Sequence, residues 1–346
     1  MNILALMPYY PSNAPRFLVD AFERLGHRVF RIGPTYFDHY GLTYNLETLP
    51  KVDIVIPKKD VWPLDTAIEY ATQAGVTPDL IFVSEEDYQN EITPTKKVPV
   101  VLYSCDGWPN CYERINTIQP TMAYTNHPLG VKPAPRATIP DGWKFLPGAA
   151  DSFWDRPQGH GSVAPFDFSL LATMYGQRET ICRRLSDMDF SVGYGQADLQ
   201  GYRDIYTNSL STYHNCNGQA ELKWRLFSSM SMGCINICDR NVLFGPMGYR
   251  AWEHYVPVWD FEGCFDSHGW PSPEGVAEAI RWLKRNQGDA HRIARLAQER
   301  TLKYDCYENR ARLILSDLGL AERNPEVDWD YDHSLRQYMK DGKVFE

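Results

Sequence analysis

The feature that most constrains this chain is an alternation of two periodicities. Short, β-rich apolar runs recur between stretches whose apolar residues repeat at helical spacing. The first series of runs is Ile3–Met7, Val29–Ile32, Asp53–Ile56, Leu80–Val83, Val98–Tyr103 and Met122–Thr125. Each is bounded by Pro, Gly, Asp or Asn, as strands buried in a parallel sheet are. Between the first two lies Pro15–Leu25, where Phe17, Leu18, Ala21, Phe22 and Leu25 share one helical face and Gly26 supplies the stop. Strand, helix, strand in this order predicts a right-handed parallel unit.

The stretch His127–Pro165 interrupts the pattern with Pro- and Gly-rich sequence and one short strand near Trp143–Leu146. The alternation then restarts. Phe168–Ala172 reads as a strand, Arg178–Leu185 as a helix and Phe190–Tyr194 as a strand. Leu210–His214 reads as a strand, Ala220–Met232 as a helix, Cys234–Cys238 as a strand and His254–Trp259 as a further short strand. Ser272 followed by Pro273 is a helix start, with Val276, Ala279, Ile280 and Leu283 as its apolar stripe. Helical stretches follow over Ala290–Leu302 and Glu308–Leu318.

A length of 346 residues suits two domains. The expected division is 1–150 and 151–323. The tail, Asn324–Glu346, carries Trp329, Tyr331, Tyr338 and Phe345, too apolar for a solvated end, and is expected to pack back on the first domain. Two such α/β halves predict a crevice beyond the carboxyl ends of the strands, where open parallel sheets bind ligands.

Composition removes several classes. No apolar stretch reaches the roughly 20 residues of a membrane helix. The start MNILALMPYYP has no basic leader and reads as a first strand, so the cytoplasm is the expected compartment. A net charge of −9 counts against a broad electrostatic grip on nucleic acid. The eight cysteines form no C-x-x-C pair, so buried thiols are expected and not zinc or disulfides. No G-x-G-x-x-G follows Ile3–Met7, which argues against a dinucleotide-dependent oxidoreductase.

Five stretches, in order along nearly the whole chain, resemble glycosyltransferases of the GT-B class, specifically the spore-maturation CgeB-type group. They are AFERLGHRVFRIGP (Ala21–Pro34), WKFLPGAAD (Trp143–Asp151), FSLLATMYGQRETICRRL with MDFSVGYG (Phe168–Gly195), IYTNSLSTYHNCNGQAELKWRLFSSMSMGCINICD (Ile205–Asp239) and YDCYENRARLIL (Tyr304–Leu315). The fourth is similar to the donor-site strand–loop–helix of the group, including Arg-x-Phe and the later Met-x-Met-Gly. The resemblance implies an α/β fold of two facing Rossmann-like domains with an interdomain cleft. It implies an acceptor-side first domain and a donor-binding second domain, with transfer of a sugar from a nucleotide-sugar. A UDP- or GDP-linked donor is expected. In two places the chain departs from the group. Retaining enzymes of the class often carry a second Glu beyond the one that Glu221 would represent, and Ser228 or Ser229 stands there. The first loop, Pro8–Pro15, lacks the glycines that many relatives place in it.

A nucleotide-sugar donor leaves as a diphosphate, so its site needs fixed cations and N–H donors. Asn215, Gly218 and Gln219 form the loop entering the predicted Ala220–Met232 helix, and Gly218 would let the backbone approach closely. Lys223 and Arg225 lie in the same element, and Arg178 opens the first helix of the second domain. Each is a candidate phosphate contact; a solvated helix cation is the alternative. Ser228 joins the donor-binding set through its place in the motif. Glu221 is a candidate for donor sugar hydroxyls, or else a carboxylate favouring the helix dipole. Asp106, in YSCDGWPN after the Val98–Tyr103 strand, is a candidate to deprotonate an acceptor hydroxyl or organise the reaction centre. Its alternative is a turn residue bonding its own backbone. His127, in TNHPLG, is the next candidate.

No cofactor or metal is expected: protein cations serve the diphosphate, and Asp328, Asp330 and Asp332 read as solvated surface because the Gly and distal Glu of a calcium loop are missing. Aromatic residues, 13% of the chain, suit sugar-handling surfaces, though most are core rings. The acceptor is left open between a glycan, a protein, a small molecule and a modified DNA base. A sugar-nucleotide epimerase and a catalytically idle domain that binds a glycan or partner are the competing readings.

Overall fold

A computed structural model describes residues 1–10, 14–35, 38–39, 42–43, 51–56, 61–84, 91–104, 109–126, 141–155, 165–174, 176–214, 222–239, 243–265 and 272–340. The chain divides into two units: Met1–Gly148 with Tyr307–Arg336, and Ala149–Cys306 with Gln337–Glu346.

The strands of the first unit are β1 (Asn2–Leu6), β2 (Arg28–Gly33), β3 (Asp38–His39), β4 (Leu42–Thr43), β5 (Ile54–Val55), β6 (Val61–Pro63), β7 (Leu80–Ser84), β8 (Glu91–Thr93), β9 (Val100–Ser104), β10 (Met122–Thr125) and β11 (Trp143–Phe145). Seven form one parallel sheet in the order β11-β10-β9-β7-β1-β2-β5, while β3 pairs with β4 and β6 with β8. LIFVS in β7 and VVLYS in β9 are buried throughout, which is why they read as continuous apolar runs. Helix α1 (Ala14–Arg24) buries Phe17, Leu18, Ala21 and Phe22, and Gly26, at φ 86°, ends it as a left-handed residue. The ring of Phe22 meets Phe82 of β7 edge-on at 6.0 Å. Helices α2 (Leu64–Gln73) and α3 (Pro109–Ile118) are crossovers that apolar spacing alone did not reveal.

In the second unit, β12 (Phe166–Leu171), β13 (Val192–Gly195), β14 (Ser209–His214), β15 (Ile235–Cys238) and β16 (Val256–Pro257) form a parallel sheet in the order β13-β12-β14-β15-β16. Its helices are α4 (Gln177–Asp187), α5 (Leu199–Thr207), α6 (Trp224–Ser231), α7 (Pro273–Arg285) and α8 (Gln287–Tyr304). The cap of α7 is the one expected: Ser272 Oγ accepts from Gly275 N at 3.0 Å, with Pro273 in the first turn. The start of α6 differs from expectation, at Trp224 and not Ala220. Leu222 is drawn into the core and Lys223 is extended (φ −73°, ψ 154°), so the chain enters the helix only at Trp224. The Trp224 ring lies 4.9 Å from that of Tyr202 on α5.

Helix α9 (Tyr307–Asp317) belongs to the first unit, whereas the sequence reading placed residues up to 323 with the second domain. Its side chains explain the reassignment. Tyr307 packs on Phe17 of α1 at 5.9 Å, and Glu308 pairs with Arg24 at 2.6 Å. The buried Arg310 donates to the carbonyls of Pro147 (3.1 Å) and Gly148 (2.9 Å), and to the Tyr331 hydroxyl. Asp317 accepts from Tyr124 Oη (2.8 Å) and Lys144 Nζ (2.9 Å). Helix α10 (Tyr331–Lys340) follows in the tail: Asp332 accepts from Phe145 N at 3.0 Å, Arg336 donates to the Trp143 carbonyl at 3.0 Å, and Leu335 is buried.

Of the three tail aspartates expected as solvated surface, Asp330 and Asp332 stay partly exposed and Asp328 does not. Asp328 is buried and accepts from Arg312 Nε at 3.0 Å; Asp330 pairs with Arg323 at 2.9 Å and Asp332 with Arg336 at 2.9 Å. Arg323 and Arg336 flank the acidic run, and Arg312 reaches it from α9. Among the described residues, no helix is long and apolar enough to cross a membrane. Cys182, Cys234, Cys238 and Cys306 are buried free thiols, and burial pushes the Cys182 thiol up to about 12.

Candidate functional site

The strand order of the second unit reverses at β12, whose neighbours are β13 on one side and β14 on the other. Parallel sheets leave a crevice at such a point, beyond the strand carboxyl ends. Here it is an indentation open to solvent. Leu170 of β12, the last three residues of β14 (Thr212, Tyr213 and His214) and Asn236 of β15 form its inner wall, with Tyr206 of α5 behind.

Three cations complete it. Arg178 is the second residue of α4, Lys223 immediately precedes α6 and Arg225 is the second residue of α6. All three are half-buried and line the indentation. Arg178 Nη1 donates to the Thr173 carbonyl at 3.2 Å, holding the guanidinium beside the end of β12. The first turns of α4 and α6 also bring the positive ends of their dipoles. An anion with two adjacent phosphate groups suits such a wall of fixed positive charge.

The inner wall is rigid. Asn236 Nδ2 donates to Ser229 Oγ at 2.9 Å, and Ser229 Oγ donates to the Arg225 carbonyl at 2.7 Å, tying β15 to the first turn of α6. Tyr206 Oη accepts from Leu171 N at 3.2 Å. Burial raises its phenol above the usual range, against the opposing influence of that N–H and of Arg225.

The structure thus brings Arg178, Lys223 and Arg225 together. Ser228 is not with them: it is buried, and its hydroxyl donates to Asp155 Oδ1 at 2.6 Å. Asp106, His127, Asn215, Gly218, Gln219 and Glu221 lie outside the described residues. Sequence reading missed Tyr206, Thr212, Tyr213, His214 and Asn236. The signal available was positional, since Thr212–His214 end a predicted strand and strand ends line the crevice. Asp155 was missed as well. Burial, then the nearby Asp151, push its carboxyl up to about 7, although Ser228, the Asp151 amide and Arg203 oppose the shift.

Among the described residues no group of three His, Cys, Asp or Glu is arranged to hold a metal ion. The first unit also has a reversal point, at β1 between β2 and β7, and Tyr9, which follows β1 there, is fully buried.

No family model and no curated protein matches the chain. Solved structures do. An alpha-glucosyltransferase in complex with UDP-glucose and DNA containing an abasic site is similar over 92% of this chain and 99% of that one, at 10% identity and TM-score 0.55. Alr3699/HepE of Anabaena in complex with UDP is similar over 93% of this chain and 100% of that one, at 12% identity and TM-score 0.56. The catalytic domain of starch synthase IV from Arabidopsis thaliana, bound to ADP and acarbose, is similar over 99% of each chain, at 10% identity and TM-score 0.52. With its two parallel sheets, the chain has the α/β fold of the GT-B class.

Proposed function

We propose that this protein is a nucleotide-sugar-dependent glycosyltransferase, with the donor diphosphate held at the α4 and α6 ends of the second unit. The observation that carries the reading is the convergence of Arg178, Lys223 and Arg225 on the reversal point of that sheet. As the bond between sugar and diphosphate breaks, negative charge grows on the leaving oxygen. Fixed guanidinium, ammonium and backbone N–H groups stabilise that charge without reorganising, which is the largest contribution that such a site can make. The same cations make a metal ion unnecessary, and activity is proposed to be metal-independent. The Asn215–Glu221 loop is proposed to approach the donor, with Glu221 on its sugar hydroxyls.

The first unit is proposed to serve the acceptor. Asp106 follows β9 and His127 follows β10, and a carboxylate at the first position would take the proton of the acceptor hydroxyl or organise the reaction centre. The CgeB-type resemblance supports this division of labour, and similar structures hold UDP, UDP-glucose or ADP, which supports a nucleoside-diphosphate donor. A sugar or glycan hydroxyl is the proposed acceptor class. DNA is the weaker proposal at a net charge of −9, although one similar glucosyltransferase is solved with it.

The test is a thermal-shift series with UDP-, GDP-, ADP-, CMP- and dTDP-sugars. A ligand that binds only the native state raises the melting temperature by mass action. One nucleotide is expected to stabilise selectively, and Arg225→Ala to remove the shift. Equal shifts from all five, or none from any, would sink the reading. Conversion of the donor without an acceptor would favour an epimerase.

A further inference from the structure

Behind the cation wall, on the far side of α6, lies a buried carboxylate that donor binding itself does not explain. Asp155 is 6% exposed and belongs to the segment 151–155, which opens the second unit. Its Oδ2 accepts from Asp151 N at 2.6 Å, and the Asp151 carboxylate caps the same turn by accepting from Phe153 N and Trp154 N, both at 2.9 Å. The other oxygen and the backbone face α6. Ser228 Oγ donates to Asp155 Oδ1 at 2.6 Å, and Ser231 Oγ donates to the Asp155 carbonyl at 2.8 Å. Two residues of one eight-residue helix are therefore bonded to one aspartate.

That helix begins with the donor-site cations. Arg225 stands one turn before Ser228, and the Arg225 carbonyl accepts from Ser229 Oγ at 2.7 Å. Tyr202 of α5, 6% exposed, lies near both sides. Burial drives its phenol well above the ordinary range, Tyr206 and Asp155 add to the shift, and Arg225 and Ser228 oppose it, so the one hydroxyl lies in the field of both charges. A solvated carboxylate would cost far less than this buried one, and hydrophobic packing could hold α6 without it. Its burial calls for a directional role, and a hydrogen bond of 2.6 Å supplies direction.

We propose that Asp155 is a positioning residue of the donor site: through Ser228 it fixes the register of α6 and hence the place of the Arg225 guanidinium against the donor diphosphate. This rests on the glycosyltransferase reading. It assigns a function to Ser228 different from direct donor contact.

The experiment is a double-mutant cycle read by calorimetry on the full chain. UDP and GDP are titrated separately, and the tighter of the two is carried through the series. Asp155→Asn is expected to weaken binding about tenfold in the wild-type background but less than about twofold in Arg225→Ala, because removal of the guanidinium removes what the bridge positions. Ser228→Ala should repeat the pattern and replaces Asp155→Asn if that variant does not fold. Ser228→Thr, which keeps the hydroxyl, should bind like wild type. Equal losses in both backgrounds, or no loss in the wild-type background, would overturn the positioning role alone. Failure of wild type to bind either diphosphate would overturn the donor-site reading and the bridge with it.

Discussion

In the first unit the strand order reverses at β1, between β2 and β7; in the second it reverses at β12, between β13 and β14. The two points are topologically equivalent, and the side chains around them differ. After β1 it keeps alongside the extension of β2: Met7 N donates to Ile32 O at 3.2 Å, Tyr9 N to Pro34 O at 2.8 Å, and Tyr9 bridges to Thr35. The approach is so close that a Cβ on Gly33 would sit 1.8 Å from the Met7 carbonyl oxygen. The Tyr9 side chain turns back to donate to the Ala5 carbonyl at 3.0 Å, and Met7, Tyr9 and Tyr10 are buried. The nearby Arg31 is paired with Asp20 and Glu23; burial works against its charge, but those carboxylates outweigh it and raise its pKa. After β12 the chain likewise follows the next strand, β13, with Ala172 N donating to Gly195 O at 2.8 Å, but there the β14 side carries the cation-lined indentation. Topology supplies a reversal point in each unit, and local side chains decide what lines it.

The comparison can be sharpened most strongly on the acceptor side. If the first unit supplies chemistry and not donor affinity, Asp106→Asn should lower turnover by about 10²–10⁴ while leaving nucleotide binding unchanged. Parallel steady-state and binding measurements check this, and near-wild-type turnover would return Asp106 to the role of a turn residue. Next, emptying the first unit's reversal point should cost stability and create no site. Tyr9→Ala is expected to lose about 3–5 kcal/mol in urea unfolding, as large-to-small core changes do, with no gain in nucleotide affinity. A second nucleotide site in that variant would break the contrast. In the second unit, Arg225→Ala should weaken donor binding about 10- to 100-fold, the worth of one charge-assisted contact, with the fold intact.

A smaller effect concerns Asp155. Its folded pKa of about 7 lies above the ordinary 3.8, so the native state binds the extra proton between those values. Stability from this group therefore rises as pH falls. The groups facing it, Asp151, Ser228 and Arg203, do not reverse that sign. Between pH 7 and pH 6 wild type should gain about 1 kcal/mol relative to Asp155→Asn in paired unfolding curves. Parallel curves would show that Asp155 stays ionised. The smallest expected effect is none: turnover in EDTA should match turnover without it. Loss with chelator, restored by manganese or magnesium, would show that Arg178, Lys223 and Arg225 do not suffice.

Much of the frame was legible in the chain. The first-unit runs from Ile3 to Thr125 and the second-unit runs from Phe168 to Cys238 fall on sheet strands, because strands buried on both faces must be apolar throughout. The Ser272–Pro273 start was legible because a cap is a local interaction. Helix α5 was not seen, although Asp198 caps it by accepting from Gly201 N at 2.7 Å and Tyr202 and Tyr206 share its buried face. Its stripe is aromatic and brief, so periodicity was weak, but two parallel strands on either side required a crossover there. Of the site, the cations could be named from the motif. The inner wall could not, because Thr212, His214 and Asn236 become neighbours only through sheet register.

The sequence by itself determined the repetition of strand and helix, the presence of two sheets and the charge available near the starts of α4 and α6, all of which follow from local periodicity and composition. Tertiary structure decided the rest. It set the order of strands, and with it which two strand ends open into a crevice. It moved α9 to the first unit through Arg310 and Glu308, buried Asp328 against Arg312 and bonded Ser228 to Asp155. These outcomes depend on which groups meet across long sequence separations. Such meetings are fixed by packing and by the need to pair every buried charge, and neither is written in any short stretch of chain.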